Sequence, residues 1–192
     1  MRNYLVLIIV FIGTSIFAQS QPKWESQFRF EFIRPIAFGN NSISKSHDNK
    51  SGFGFNWSLI EYEKFRLGFG SSFITFGVID KSKAGNFDRT NYNTISGVLS
   101  YDYKINDKFI LVPYISIGGV TLKQRATDIR NSTQDGTEYK IGLHTDYKLG
   151  KSFVIYSKVS YAYSKLNITT APEYEKFFGQ AQQIQIAIGL KL

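Results

Sequence analysis

Eight stretches of this chain alternate between apolar and polar residues with a period of two, and helical periodicity is almost absent outside the N-terminus. Such alternation marks strands with two chemically different faces. The first block sets Phe28, Phe30 and Phe32 against Arg29 and Glu31, and the second sets Phe53, Phe55, Trp57 and Leu59 against Gly52, Gly54, Asn56 and Ser58. The third opposes Phe65, Leu67, Phe69 and Phe73 to Arg66, Gly68, Gly70 and Ser72; the fourth opposes Ile95, Leu99, Tyr101 and Tyr103 to Thr94, Ser96, Ser100 and Asp102. In the fifth, Phe109, Leu111, Ile115 and Ile117 face away from Ile110, Val112 and Tyr114, and Pro113 interrupts. Proline cannot donate to a ladder, so this strand is either bulged there or not a strand as drawn. The sixth places Tyr139, Ile141, Leu143 and Tyr147 opposite Glu138, Lys140, His144 and Asp146, and the seventh places Phe153, Ile155, Val159 and Tyr161 opposite Tyr156, Lys158 and Ser160. The eighth sets Ile184, Ile186, Ile188, Leu190 and Leu192 against Gln183, Gln185, Ala187, Gly189 and Lys191. No apolar face carries a charge.

The connections alternate in length. Tight turns are expected at Glu61 to Lys64, Lys104 to Lys108 and Leu149 to Lys151, and long polar loops at Ala37 to Ser51, Gly77 to Asn91, Lys123 to Gly136 and Asn167 to Gln180. An even strand number with short turns at one end and longer loops at the other is the arrangement of an outer-membrane barrel. A soluble sandwich or a secreted lipocalin-like barrel is the competing reading, and the polar face decides between them. It is crowded with Gly and Ser rather than solvated Lys and Glu, which suits the cramped interior of an eight-stranded barrel.

The expected fold is therefore an all-β, eight-stranded antiparallel up-and-down transmembrane barrel. Its lumen holds a polar network of Arg29, Glu31, Arg66, Asp102, Glu138, Lys140, His144, Asp146 and Lys158, because buried charge demands partners. Its lipid-facing residues are Phe28, Phe30, Phe32, Phe55, Trp57, Leu67, Phe69, Leu99, Ile141, Leu143, Ile155, Ile186 and Ile188. Beside the three short turns stand Tyr62, Phe65, Tyr101, Tyr103, Phe109, Tyr147 and Phe153, an aromatic girdle at the periplasmic interface. The opposite ends carry Phe38, Phe53, Phe73, Tyr92, Tyr139 and Tyr161.

Residues 1–18 read as a signal peptide: Arg2 gives a positive start, Tyr4 to Phe17 is largely apolar, and Ala18 suits cleavage. That run is short of the ~20 residues a spanning helix needs. Residues 19–192 then form the barrel domain, exported to the cell outer membrane. The chain has no cysteine, which excludes disulfides and thiolate metal sites.

On these features the chain resembles the small eight-stranded outer-membrane β-barrels of Gram-negative bacteria: the outer membrane protein A transmembrane domain, outer membrane protein X and the opacity-type barrels. The segments most similar are Tyr101-Asp102-Tyr103-Lys104-Ile105-Asn106-Asp107-Lys108-Phe109 and Gln183 to Leu192. Members usually end in an aromatic residue read by the barrel assembly machinery, whereas this chain ends in Leu192. The resemblance implies outer-membrane lipids, lipopolysaccharide and that machinery as partners, with a structural or surface-interaction role carried by the four long loops.

Chemistry is sparse. His47 and His144 are the only histidines, so no multi-histidine metal site forms, and no cofactor is implied. His144 shares a face with Asp146, near Tyr156 and Lys158, a group that suits a proton shuttle or a lumen hydrogen-bond network. Ser46-His47-Asp48 is a triad in writing only, because adjacent side chains diverge. A lipid A acyltransferase or deacylase built on His47 is the enzymatic alternative, and a narrow channel the transport one. The formal charge of +8 comes from scattered basic residues, which with export argues against nucleic acid. Lys81, Lys83, Arg89, Lys123, Arg125 and Arg130 lie near the loop bases, where they suit lipopolysaccharide phosphates or simple solvation.

Overall fold

The computed structural model describes residues 22–126, 131–150 and 153–192; the expected signal peptide and Arg130 lie outside them. Nine strands form one sheet: β1 (Lys23–Phe38), β2 (His47–Tyr62), β3 (Phe65–Val78), β4 (Arg89–Tyr101), β5 (Tyr103–Lys104), β6 (Phe109–Arg125), β7 (Asn131–Lys148), β8 (Val154–Leu166) and β9 (Gln180–Lys191). The order β4-β3-β2-β1-β9-β8-β7-β6-β5 closes through β4 on β6. Because β5 continues β4 in the same register against β6, the sheet is a closed barrel of eight staves. Every pairing is antiparallel, as an up-and-down chain requires.

The break between β4 and β5 answers the question posed by Pro113. The register of β6 against β7 runs without a shift through Pro113↔Leu143, so there is no bulge. The ladder is lost on the other side: pairing with β4 stops at Ser100↔Tyr114 and resumes at Tyr103↔Leu111. Asp102 N donates instead to Lys64 O at 2.8 Å.

Two other expectations are corrected. A register shift in β2 between Ser58 and Ile60 reverses the parity, so that Ile60 pairs with outward Leu67 and Glu61 pairs with inward Arg66. The predicted turn at Glu61 to Lys64 shrinks to Glu63 and Lys64, with Glu63 at a φ of 55°, the hand two-residue hairpins favour. Strand also reaches into three of the four expected long loops, with pairing running up to His47↔Val78, Gly77↔Arg89 and Arg125↔Asn131, whereas in Asn167 to Gln180 only Gln180 is strand. Their alternation was hidden because the faces there are both polar or small.

The short helices α1 (Ser42–Ser46), α2 (Lys81–Ala84) and α3 (Pro172–Phe178) complete the loop end. Asn41 caps α1, its Oδ1 accepting from Ser44 N at 3.0 Å, and Ile43 is thereby turned down into the barrel mouth. There it meets Ile33, Ile74, Phe76, Val120, Leu122, Leu166 and Ala181 in an apolar cluster of buried side chains. The barrel is otherwise inside out: Phe30, Phe32, Ile141, Ile186 and Ile188 are exposed while Arg29, Glu31, Asp146 and Lys158 are buried.

Candidate functional site

The lumen is built in layers. Nearest the turns, Arg66 Nε lies 2.9 Å from Asp102, Arg66 also pairs with Glu61, and Glu25 approaches its Nη2 at 3.7 Å. Glu61 enters this group only because of the β2 register shift, so the alternation pattern had hidden it.

The next layer joins staves that are not neighbours. Asp146 on β7 accepts both guanidinium nitrogens of Arg29 on β1, at 2.7 and 2.8 Å, and the Lys191 ammonium at 3.0 Å. Glu31 pairs with Lys158 and accepts from Tyr156 Oη at 3.1 Å. The Arg29 guanidinium also sits 4.9 Å from the Tyr156 ring centroid. His144 has no bond to Asp146. Instead its ring lies between Tyr114 and Tyr156, with centroids 4.7 and 5.2 Å away. Gly142 and Gly189 make this possible, since a Cβ at either would come within 2.6 Å of the Tyr114 or Tyr156 ring. The His, Asp and Tyr proton relay is therefore replaced by an aromatic sandwich with its acid committed to two cations.

Above it, Glu138 binds Lys140 at 2.9 Å and accepts from Tyr92 Oη at 2.6 Å, while Tyr92 also bonds Ser164. Tyr92 was expected among the aromatics at the loop-end interface; it is buried in the lumen, because even-numbered residues of β4 point inward. On the loop side the apolar cluster beneath α1 fills in around Tyr92.

The predicted lumen residues Arg29, Glu31, Arg66, Glu138, His144, Asp146 and Lys158 are all buried, and Asp102 and Lys140 are mostly covered. On the outer wall, all thirteen residues expected to face lipid point away from the lumen, with Phe55 and Phe69 half-buried against neighbours: Phe55 stacks on Phe28 at 6.1 Å and Phe69 meets Trp57 at 5.5 Å. At the turn end, Phe65 packs on Tyr101 at 4.9 Å and Phe109 on Tyr147 at 4.8 Å; Tyr62, Tyr103 and Phe153 share that rim.

Ser46 and His47 do meet, contrary to the expectation that neighbours diverge. Ser46 ends α1 and His47 begins β2, and the change of backbone direction brings Ser46 Oγ to 2.9 Å from Nδ1. Thr90 Oγ1 lies 2.7 Å from Nε2. Burial holds the His47 pKa below its ordinary value, opposed by a bond to the Ser42 backbone. Asp48 is not part of this group and pairs with Lys50 at 2.6 Å. Ser46 is fully buried, so the arrangement fastens α1 to β2 and β4 and leaves no hydroxyl open to a substrate.

No protein-family model and no curated protein matches the chain. Among solved structures, Neisserial surface protein A matches with a TM-score of 0.64 and 10% identity, over 90% of this chain and 99% of that one. The attachment invasion locus protein of Yersinia pestis, solved with the heparin analogue sucrose octasulfate, matches at 0.52 and 14% identity, over 88% and 99%. The outer membrane protein OprG of Pseudomonas aeruginosa matches at 0.52 and 14% identity, over 91% and 98%. The structural neighbours are small eight-stranded outer-membrane β-barrels, and this chain has their fold.

Proposed function

We propose that this protein is an integral barrel of the Gram-negative outer membrane, with a sealed lumen and a structural or surface-interaction role. The carrying observation is the spacing of features on the outer face of β6. Phe109 stands in the aromatic rim and Lys123 in a basic row, fourteen residues apart, with Leu111, Pro113, Ile115, Ile117, Gly119 and Thr121 between them. At about 3.3 Å per residue and a tilt near 45°, that interval is about 33 Å in depth, close to the ~30 Å of a hydrocarbon core. A soluble protein with this much exposed Phe, Ile and Leu would aggregate.

The loop end, above the basic row, then faces the cell exterior, and the barrel assembly machinery is the expected insertion partner. The apolar cluster under α1 and the paired charges below it leave the lumen filled, which favours a wall or platform over a pore. The surface offered outward comprises the three short helices, the connections that carry them and the strand extensions below them.

Comparing unboiled and boiled detergent samples on gels tests the reading. A heat-dependent mobility shift with the protein in the outer-membrane fraction is expected. No shift, with recovery in the aqueous soluble fraction, returns the chain to a secreted barrel.

A further inference from the structure

The outer wall is not uniform. A shallow apolar trough of about 520 Å³ crosses β3, β4, β6, β7 and β8 between Leu67, Leu99, Ile117, Ile141, Tyr139 and Tyr161. Its floor is Gly97, where an added Cβ would find only the Ile117 carbonyl, 3.9 Å away. One row above it, a Cβ at Gly119 would meet nothing within 4 Å. Neither glycine is required by its neighbours, whereas inward Gly68 and Gly118 would drive a Cβ into the backbone of the next strand. The two outward glycines leave a smooth strip of wall that leads upward from the trough.

That strip ends in a cluster of positive charge, one rung above Thr121, whose hydroxyl donates to the exposed Asp135 carboxylate on β7 at 2.7 Å. Arg89 and Arg125 are directly opposed across the β4–β6 ladder, and Lys123 lies two residues below Arg125 on the same outward face. All three are exposed. Like charges directly opposite destabilise a sheet, so an anion bridging them would relieve a cost the fold otherwise carries. Guanidinium groups suit phosphate, which they bind bidentately.

The spacing couples the two features. From Ile117 to Lys123 is six residues of β6, about 20 Å along the strand and about 14 Å in depth at the usual tilt, which is half a bilayer core. We infer that this face binds one phosphate-bearing lipid of the loop-side leaflet, its phosphate held by Arg89, Lys123 and Arg125 and an acyl chain lying over Gly119 into the trough at Gly97. This rests on the membrane reading above and adds a specific lipid site to it.

Native mass spectrometry of the full-length mature protein, folded in detergent with equal amounts of diphosphoryl lipid A and phosphatidylcholine, tests it. One retained lipid A is expected, in at least tenfold preference. The triple variant Arg89→Gln, Lys123→Gln, Arg125→Gln should lose at least tenfold of that occupancy, and Gly97→Leu, which fills the trough without altering charge, at least threefold. Equal retention of the two lipids, or lipid A occupancy unmoved by either variant, overturns the site. Loss through the charge variant alone also overturns it, because the anion is then held without the trough. The gel-mobility shift is read on every sample: its absence in the unmodified protein defeats the membrane reading itself, and its absence in the triple variant leaves Gly97→Leu to decide.

Discussion

Arg29 and Asp146 are 117 residues apart in sequence and meet across the lumen through two hydrogen bonds of 2.7 and 2.8 Å. They sit on β1 and β7, which are separated by β9 and β8 in the sheet. The contact is therefore a strut through the barrel rather than part of the ladder. Asp146 is fully buried and also takes Lys191, so the strut gathers two cations on one acid.

Asp146→Asn leaves Arg29 and Lys191 buried without a counter-charge. Breaking a buried pair from one side typically costs about 3 to 5 kcal/mol. The urea midpoint for loss of the folded gel band should fall accordingly. A midpoint unchanged from the parent would mean that the strut does not hold the staves.

The outer wall responds oppositely to charge. Ile141 is 60% exposed and lies in the apolar trough at mid-depth. Ile141→Arg should cost about 2 to 4 kcal/mol, as for basic residues at a bilayer midplane. Thr133→Arg, on the outer face of the same strand but level with Lys123, should cost under about 1 kcal/mol by the same depth dependence. Equal penalties from folding titrations in vesicles would place neither residue in hydrocarbon.

The lumen is predicted not to conduct. Planar-bilayer recordings of the intact protein should show no discrete openings. Ile43 is the residue α1 contributes to the apolar cluster, and Ile43→Ala should destabilise by about 2 kcal/mol or more through the cavity it leaves. Steady single-channel currents from the unmodified protein would contradict the sealed arrangement.

His47 makes the loop end sensitive to acid. Its folded pKa is lowered from 6.5 by burial, so the neutral ring is favoured in the folded state. The stability this group contributes is present above the unfolded value and is lost as pH falls below 6.5 toward the folded value. Backbone amide signals of α1 and the start of β2 should broaden or move over that range in NMR spectra, and His47→Gln should abolish the response. An identical response in the variant would assign it to another group.

Glu63 carries the one positive φ among the described non-glycine residues, in an exposed two-residue turn. Left-handed backbone costs an ordinary residue about 1 to 2 kcal/mol, so Glu63→Gly should raise stability by up to about 1 kcal/mol. A fall in the urea midpoint would show that the glutamate side chain contributes more than its backbone costs.

Period-two alternation determined by itself which residues of each stave point inward, because side-chain direction in a strand depends only on position along it. Arg29, Glu31, His144, Asp146 and Lys158 were legible as one inward set for that reason, as were the outward Phe and Ile residues. Crowding of glycine on the inward face told of a narrow interior, since a Cβ there runs into the neighbouring strand. What alternation lacks is any reference between strands. The register shift at Leu59, which turns Glu61 inward, and the ladder break beside Pro113 arise from pairing, not from local preference. Strand extensions beyond the apolar band are not legible in the sequence, because polar faces on both sides erase the contrast that marks a strand. Above all, the sequence placed His144 with Asp146 because they are two residues apart, whereas the stagger of the closed sheet delivers Arg29 and Lys191 to Asp146 and two tyrosines to His144. Closure sets which inward groups share a level, and that is a property of all eight staves together.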